Sequence, residues 1–121
     1  MRLTALRGAI TVEDNESGAI LSATEELLLA VLERNELQAA DLVSCIFTLT
    51  DDLDAEFPAV AARRIGLDAV PLLCTREIPV PGSLPRVIRV LVHCYPSSGG
   101  EPKHVYLREA TQLRRDLEAA Q

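Results

Sequence analysis

The sequence predicts an α+β fold in which helices pack on one mixed β-sheet. Residues 17–35 carry apolar side chains at helical spacing, and residues 87–92 form a run rich in β-branched side chains that is typical of a strand. The remaining patterns complete the order β-α-β-α-β-β-β-α. This order favours a mixed sheet with helices packed on it.

The first strand is predicted over residues 3–12, where Arg7 and Gly8 interrupt an otherwise apolar pattern. A glycine inside a strand often marks a bulge or a close approach of backbone to another group. A charge at Arg7 is also explained by an edge strand, where it discourages aggregation. Ser17 is predicted to cap the long helix of residues 17–35.

Two further strands, over residues 42–50 and 70–75, flank a short predicted helix at residues 57–66. This helix has a proline near its first turn and a glycine just past its end, a common arrangement of these two residues. Arg63 and Arg64 fall in its last turn, where positive charge complements the helix dipole. That role alone would explain both arginines.

Arg89 lies within the apolar run of residues 87–92. The strand that contains this run is predicted to end near Tyr95. Desolvating a guanidinium without an anion costs several kcal/mol, so Arg89 needs an internal carboxylate, a route to water or an anionic ligand. Glu77 is the only acidic residue at positions 69–100. An ion pair with its neighbour Arg76 would explain it without any functional role.

The C-terminal part is predicted to form a short strand over residues 104–107 and a helix over residues 108–120. Because neighbouring residues of a strand point to opposite faces, Tyr106 is expected to face away from Val105. The preceding residues 96–102 are rich in proline, serine and glycine, which indicates an exposed loop.

Composition narrows the possible partners. With 121 residues, 48% of them hydrophobic, the chain is expected to form one domain over residues 1–121. The net charge of −6 argues against nucleic acid or an anionic membrane as the main partner. No segment approaches the roughly 20 apolar residues that cross a bilayer, and no signal peptide is evident, so a cytoplasmic protein is expected.

The basic residues and the cysteines indicate the class of ligand and the chemistry of the thiols less strongly than the net charge indicates the partners. Eleven of the twelve basic residues are arginine, which suits bidentate recognition of carboxylates but is equally what a GC-rich genome produces. The three cysteines, Cys45, Cys74 and Cys94, have no close spacing, so we expect reduced thiols and no metal site.

Five residues on or beside strands and helix ends share a chemical theme that these separate structural explanations do not account for. Several guanidiniums, one carboxylate and one phenol suit a pocket for a small polyanion that also carries a hydroxyl group. No Ser/His/Asp set or glycine-rich phosphate loop accompanies them. Such a pocket suits binding, or a reaction that needs only conformational restraint and electrostatic stabilisation. The five residues are Arg7, Arg63, Glu77, Arg89 and Tyr106.

Several motifs, in order along nearly the whole chain, resemble one family. They lie at residues 7–12, 57–59, 80–85 leading into 87–90, 104–107 and 113–117. The chain closely resembles the small monofunctional bacterial chorismate mutases of the trimeric pseudo-barrel type, the AroH class. The resemblance implies a homotrimer that forms a pseudo-α/β-barrel, with active sites between subunits. It also implies conversion of chorismate to prephenate in phenylalanine and tyrosine biosynthesis, without a cofactor.

The resemblance further assigns roles to catalytic residues. Arg89 would donate to the ether oxygen of chorismate, which gains negative charge as its bond to the ring breaks. Arg7, with help from Tyr106, would hold the enolpyruvyl carboxylate. Glu77 would accept a hydrogen bond from the ring hydroxyl.

Other residues would line the pocket by the same resemblance. Phe57 and Arg63, from the adjacent subunit, would wall the site and attract the second carboxylate, and Leu113 would help to cover its mouth. The remaining lining residues would be Leu73, Cys74, Thr75 and Arg76.

Three positions depart from the family pattern, namely Val60, Leu73 and Arg115. Val60 would weaken electrostatic steering at the mouth of the site, and Leu73 would remove a side-chain hydrogen bond near the ring hydroxyl. Arg115 would alter how the last helix covers the site. Two other functions stay open. One is a hydrolytic deaminase of the RidA type, which also uses an interface arginine, and the other is a non-catalytic trimeric module that binds a small anion.

Overall fold

The structure is a computed structural model that describes the backbone of residues 2–119 and the side chains of residues 2–115. Over this range it contains five strands, three α-helices and two short 3₁₀ turns. The strands are β1 (Thr4–Thr11), β2 (Leu42–Leu49), β3 (Leu72–Arg76), β4 (Val87–Cys94) and β5 (Val105–Leu107). The helices are α1 (Ser17–Arg34), α2 (Pro58–Arg64) and α3 (Thr111–Ala119), and the 3₁₀ turns are Ala39–Asp41 and Arg108–Ala110.

The five strands form one sheet in the order β3-β2-β4-β1-β5. The central strand β4 runs antiparallel to both of its neighbours, β1 and β2. The outer strands are parallel to their neighbours, β3 to β2 and β5 to β1. The sheet is therefore mixed, and the predicted α+β class is confirmed.

Helices α1 and α2 pack on one face of this sheet. On β4 the side chains of Ile88, Val90 and Val92 are buried and belong to the main core, which also contains the apolar face of α1. The alternating residues Val87, Arg89 and Leu91 therefore point to the opposite face. This division was predicted from the period-2 pattern of the strand.

The opposite face of the sheet carries a smaller apolar cluster. Ala9 and Val87 are buried there against Ala110, and Leu113 packs on the same cluster. The 3₁₀ turn and the start of α3 thus cover one end of this face, whereas α1 and α2 cover none of it. The central part of the face is left open.

Some predicted details differ from the structure. Ser17 is the first residue of α1 rather than its cap, since Glu16 occupies the N-cap position and the Ser17 hydroxyl donates to Glu56. The predicted last helix begins instead with a 3₁₀ turn, whose first residue, Arg108, has a positive φ of 56°. Its predicted end at Ala120 lies outside the described residues. Of the described helices, none is long and apolar enough to cross a membrane.

Gly8 marks a close approach rather than a bulge. Its pairing with Val90 continues the β1–β4 register without a shift. A Cβ atom at position 8 would lie 3.1 Å from Leu27 Cδ1 and 3.2 Å from Val31 Cγ2, both on α1. A glycine at this position therefore allows α1 to pack closely against β1.

Gly8→Ala is expected to lower the free energy of unfolding by about 1–3 kcal/mol, because the methyl group overpacks the contact between α1 and β1. Urea unfolding at fixed protein concentration measures this. Gly18→Ala is the matched control, since its Cβ would be 3.4 Å from only Glu16 Oε1 and alanine favours the helix. Equal stability of Gly8→Ala and the wild type would contradict the packing argument.

Candidate active site

Arg7 and Arg89 project from adjacent strands onto the open face of the sheet. In the β1–β4 pairing, Arg7 is opposite Leu91 and Ala9 is opposite Arg89. Since Gly8 faces α1, alternation turns both arginines to the other side. A cleft of about 480 Å³ opens there. Its lining consists of Arg7, Gly8, Ala9, Ile46, Thr48, Arg89, Val90, Leu91, Tyr106 and Leu113.

Glu77 holds Arg89 at the edge of this cleft. It directly follows β3, and its backbone N–H donates to the Leu49 carbonyl at 2.9 Å. Its Oε2 accepts hydrogen bonds from Arg89 Nε at 2.9 Å and from the Thr48 hydroxyl at 2.6 Å. The Arg89 side chain is 45% exposed and that of Glu77 only 16%. Arg89 therefore has both an internal carboxylate and contact with water.

Glu77 does not form the ion pair with Arg76 that the sequence offered as an explanation. Arg76 Nη1 donates instead to the Asp51 carbonyl at 3.2 Å, while the carboxylate of Glu77 is bonded to Arg89. The two neighbours separate because consecutive residues leave a strand in opposite directions.

His104 contacts the backbone of Arg7 from the edge strand. Its Nδ1 accepts the Arg7 backbone N–H at 3.0 Å, just before β5 begins to pair with β1 at Gly8 and Val105. Partial burial of the ring, and then the positive charge of Arg7, lower the pKa of His104. A neutral imidazole with its proton on Nε2 fits this hydrogen bond. No side chain among residues 2–115 forms an ion pair with the Arg7 guanidinium.

Tyr106 and Leu113 reach the cleft through the β5 edge. Tyr106 pairs with Ala9 and faces away from the buried Val105, as predicted. The turn after β5 is fixed by Arg108, which donates to the Thr11 carbonyl at 3.1 Å and to Glu26 at 2.9 Å. These bonds position the start of α3, and with it Leu113, beside the cleft.

A second cleft of about 400 Å³ lies beside β3 and the start of α2. Phe57, the residue before α2, is 66% exposed, and Leu73 on β3 is 60% exposed. Arg63 is exposed in the last turn of α2. The second cleft is lined by Leu49, Leu53, Asp54, Ala55, Glu56, Phe57, Cys74, Thr75 and Arg76.

The site residues singled out from the sequence thus fall into separate groups. Arg7, Arg89, Tyr106 and Leu113 line the first cleft. Glu77 does not line this cleft itself but is bonded to Arg89, which does. The other group comprises Phe57, Cys74, Thr75 and Arg76 at the second cleft, with Leu73 and Arg63 exposed and lining neither of the two.

Sequence reasoning missed three residues near the first cleft. Ile46 and Thr48 lie on β2 opposite Leu91 and Arg89, and His104 supports Arg7. The period-2 pattern of residues 42–50 was sufficient to place Ile46 and Thr48 on one face. The partner of Thr48 was not predictable, because Glu77 is 29 residues away in sequence.

The thiols contribute no acid–base group to the first cleft. All three cysteines are free in the structure. Burial, and then the nearby Cys94, raise the pKa of Cys45 to about 11, so this thiol stays protonated near neutral pH. Among the described residues there is no cluster of histidine, cysteine and acidic side chains that could hold a metal ion.

The first cleft combines two guanidiniums, a phenol and a threonine hydroxyl on an otherwise apolar surface. Its lining contains no histidine, cysteine or serine. Fold and cleft together define an α+β protein with an arginine-lined site suited to a small molecule that carries carboxylates.

Comparison with known proteins identifies the family. Residues 3–117 match the family model described as chorismate mutase type I. The chain is 57% identical over 118 residues to the chorismate mutase AroH of Thermus thermophilus, covering 96% of this chain and 97% of that protein. It is 37% identical over 119 residues to the AroH of Bacillus subtilis (strain 168), covering 97% and 94%.

A solved chorismate mutase from Clostridium thermocellum has the same fold, with a TM-score of 0.86 and 46% sequence identity. The match covers 90% of this chain and 98% of that chain. The chain belongs to the type I chorismate mutase family, whose members are isomerases. The resemblance carried by the sequence motifs is confirmed.

Acid is expected to destabilise the protein through His104. Because the pKa of His104 is lower in the folded chain, the unfolded chain binds more protons, and stability rises with pH. This contribution is complete above the ordinary pKa of 6.5 and is lost as the pH falls through the lowered value. His104→Asn offers an acceptor near the position of Nδ1 but does not titrate.

Urea unfolding at several values between about pH 5 and pH 7, at fixed protein concentration, tests this expectation. The midpoint of His104→Asn should fall less towards low pH than that of the wild type. His93→Asn, which leaves the contact with Arg7 intact, should retain the steeper dependence. Identical pH dependence in the wild type and His104→Asn would refute the assignment.

Proposed function

We propose that the protein converts chorismate to prephenate in the cleft of Arg7 and Arg89, with each site completed by a neighbouring subunit of a homotrimer. The observation that carries the proposal is the pair of arginines on one open sheet face, with Glu77 bonded to one of them. The family of the chain supplies the reaction, and the step would fit phenylalanine and tyrosine biosynthesis in the cytoplasm.

The reaction is intramolecular and needs the substrate to be folded. One carbon–oxygen bond, between the ring and the ether oxygen, breaks while one carbon–carbon bond forms, and no proton enters or leaves. Fixing both carboxylates brings the reacting carbons together and removes much of the entropic cost. Arg7 with Tyr106 would hold the enolpyruvyl carboxylate, and Arg63 of the adjacent subunit would attract the second.

Arg89 would act on the ether oxygen as it gains negative charge. Its Nε is bonded to Glu77, and no described side chain of residues 2–115 accepts from its terminal nitrogens. Those two groups would be free to donate to the ether oxygen and to a carboxylate. A donor that is held in place before the reaction costs no reorganisation in the transition state.

Glu77 would accept a hydrogen bond from the ring hydroxyl, and Leu113 would help to cover the mouth of the cleft. Phe57 would form a wall contributed by the adjacent subunit. The further pocket residues proposed from the family resemblance are Leu73, Cys74, Thr75 and Arg76, of which three line the second cleft of the protomer.

The homotrimer is supported by exposed apolar side chains and by the division of the site residues. Phe57 and Leu73 expose 66% and 60% of their surface, and the central part of one sheet face is uncovered. Burying such groups is favourable, and homo-oligomers usually close with rotational symmetry. Three copies would then close into the proposed pseudo-α/β-barrel, with the second cleft of one subunit meeting the first cleft of the next.

Arg89→Ala is expected to lower kcat for chorismate by at least about 10²- to 10³-fold, because a charged, preorganised donor to the ether oxygen is lost. Loss of chorismate absorbance measures turnover, and acid conversion of the product to phenylpyruvate identifies prephenate. Arg34→Ala, an exposed arginine at the end of α1, is the matched control. Normal turnover by a folded Arg89→Ala would refute the assignment.

The same assay separates the alternatives. A deaminase or a binding module of the same architecture would bind a carboxylate, but neither would form prephenate from chorismate. Absence of turnover by well-folded wild-type protein would therefore exclude the proposed function.

Mixed assemblies test whether a site spans two subunits. Arg89→Ala and Arg63→Ala, each weakly active alone, are unfolded together in equal amounts and refolded. If each site takes Arg89 from one subunit and Arg63 from the next, about a quarter of the sites in randomly mixed trimers carry both. Activity should rise towards that fraction of the wild type.

The matched control mixes Arg89→Ala with Arg7→Ala. Both arginines line the same cleft of one protomer, so no mixed assembly restores an intact site and activity should stay low. Equal recovery of activity in both mixtures would contradict a site shared in this way. So would the absence of recovery in both mixtures, provided that each variant alone refolds to a trimer.

A further inference from the structure

Thr48 occupies a position on β2 from which it contacts the charged pair at the first cleft. It is opposite Arg89 in the pairing of β2 with β4 and opposite Thr75 in the pairing with β3. Its hydroxyl donates to Glu77 Oε2 at 2.6 Å, and it lines the cleft itself. The same carboxylate oxygen accepts Arg89 Nε at 2.9 Å.

We infer that Thr48 is a positioning residue that holds the Glu77 carboxylate in the orientation required for the mutase reaction. The inference rests on the proposed function, since it assigns a role within that reaction. Both protein donors meet at Oε2, and no described side chain of residues 2–115 donates to Oε1. Oε1 is therefore the oxygen that is left to accept a hydrogen bond from the substrate.

The geometry shows why one anchor is insufficient. A guanidinium and a carboxylate tend to pair through two parallel hydrogen bonds. In that arrangement the second carboxylate oxygen of Glu77 would take a terminal nitrogen of Arg89, and both groups would be lost to the substrate. The second donor on Oε2 opposes rotation into that pairing, so Oε1 and the terminal nitrogens of Arg89 stay free.

The backbone supports the same arrangement. The N–H of Glu77 donates to the carbonyl of Leu49, the residue after Thr48, at 2.9 Å. Strand β2 thus holds Glu77 twice, once through its backbone and once through its carboxylate. Removing the hydroxyl of Thr48 releases only the carboxylate, so the effect is expected on catalysis rather than on the fold.

Thr48→Val keeps the shape and strand preference of the side chain but removes the hydroxyl. We expect about a 10-fold lower kcat, in line with the loss of one hydrogen bond to a charged group, and a KM within about 2-fold of the wild type, because Arg7 and Arg63 still hold the carboxylates. Thr48→Ser should restore kcat to within about 3-fold. Thr48→Ala provides a second removal of the hydroxyl in case the valine variant folds poorly.

A double-mutant cycle separates positioning through Glu77 from a general structural role. In a Glu77→Ala background the hydroxyl has no carboxylate to hold, so Thr48→Val should change kcat by less than about 2-fold. Thr4→Val, which removes a hydroxyl near the exposed start of β1, should match the wild type throughout. Size-exclusion chromatography and thermal unfolding establish that all variants assemble and fold alike.

The possible results give distinct answers. A kcat of Thr48→Val within about 2-fold of the wild type, or an undiminished effect in the Glu77→Ala background, overturns the role of Thr48 and leaves the proposed function intact. Failure of the wild type to convert chorismate overturns both proposals together. A selective loss of kcat that serine restores and Glu77→Ala removes supports the inference.

Discussion

The pairing of β4 with both β1 and β2 is the constraint on which the rest of the molecule depends. Because its side chains alternate, one register buries Ile88, Val90 and Val92 under the helices and turns Arg89 to the open face. A slip by one residue would bury the arginine and expose three core residues. The hydrophobic core therefore fixes the position of the charged group, and the same register brings Arg7 and Thr48 to its two sides.

The bond between Glu77 and Arg89 orients these groups more than it stabilises the fold. With 45% of the Arg89 side chain exposed, solvent screening leaves such a pair worth about 1 kcal/mol or less. Nearby, Arg7 has no ion-pair partner among the described side chains, and its charge contributes to the lowered pKa of His104. The cleft therefore keeps an excess of positive charge in a protein whose net charge is −6, which would attract an anionic substrate.

Features that depend on the spacing of neighbouring side chains were predictable from the sequence. The long helix, the alternation on β4 and the separation of Tyr106 from Val105 follow from side-chain spacing alone. Contacts between distant segments did not follow: the partner of Ser17 is Glu56, and Glu77 pairs with Arg89 rather than with its neighbour. Thr48 was missed for a related reason, since threonine is an ordinary strand residue until the carboxylate of Glu77 meets it.

The division of the site residues between the first cleft and the region around α2 links assembly to catalysis under the proposed function. One protomer holds Arg7 and Arg89 on its open sheet face, whereas Phe57 and Arg63 belong to the region around α2. A single protomer would then lack the arginine for the second carboxylate, and the substrate would keep rotational freedom that the reaction needs to remove. Changes that loosen the subunit interface would lower turnover without touching Arg89, so activity in this fold would report the state of assembly as well as the chemistry of the cleft.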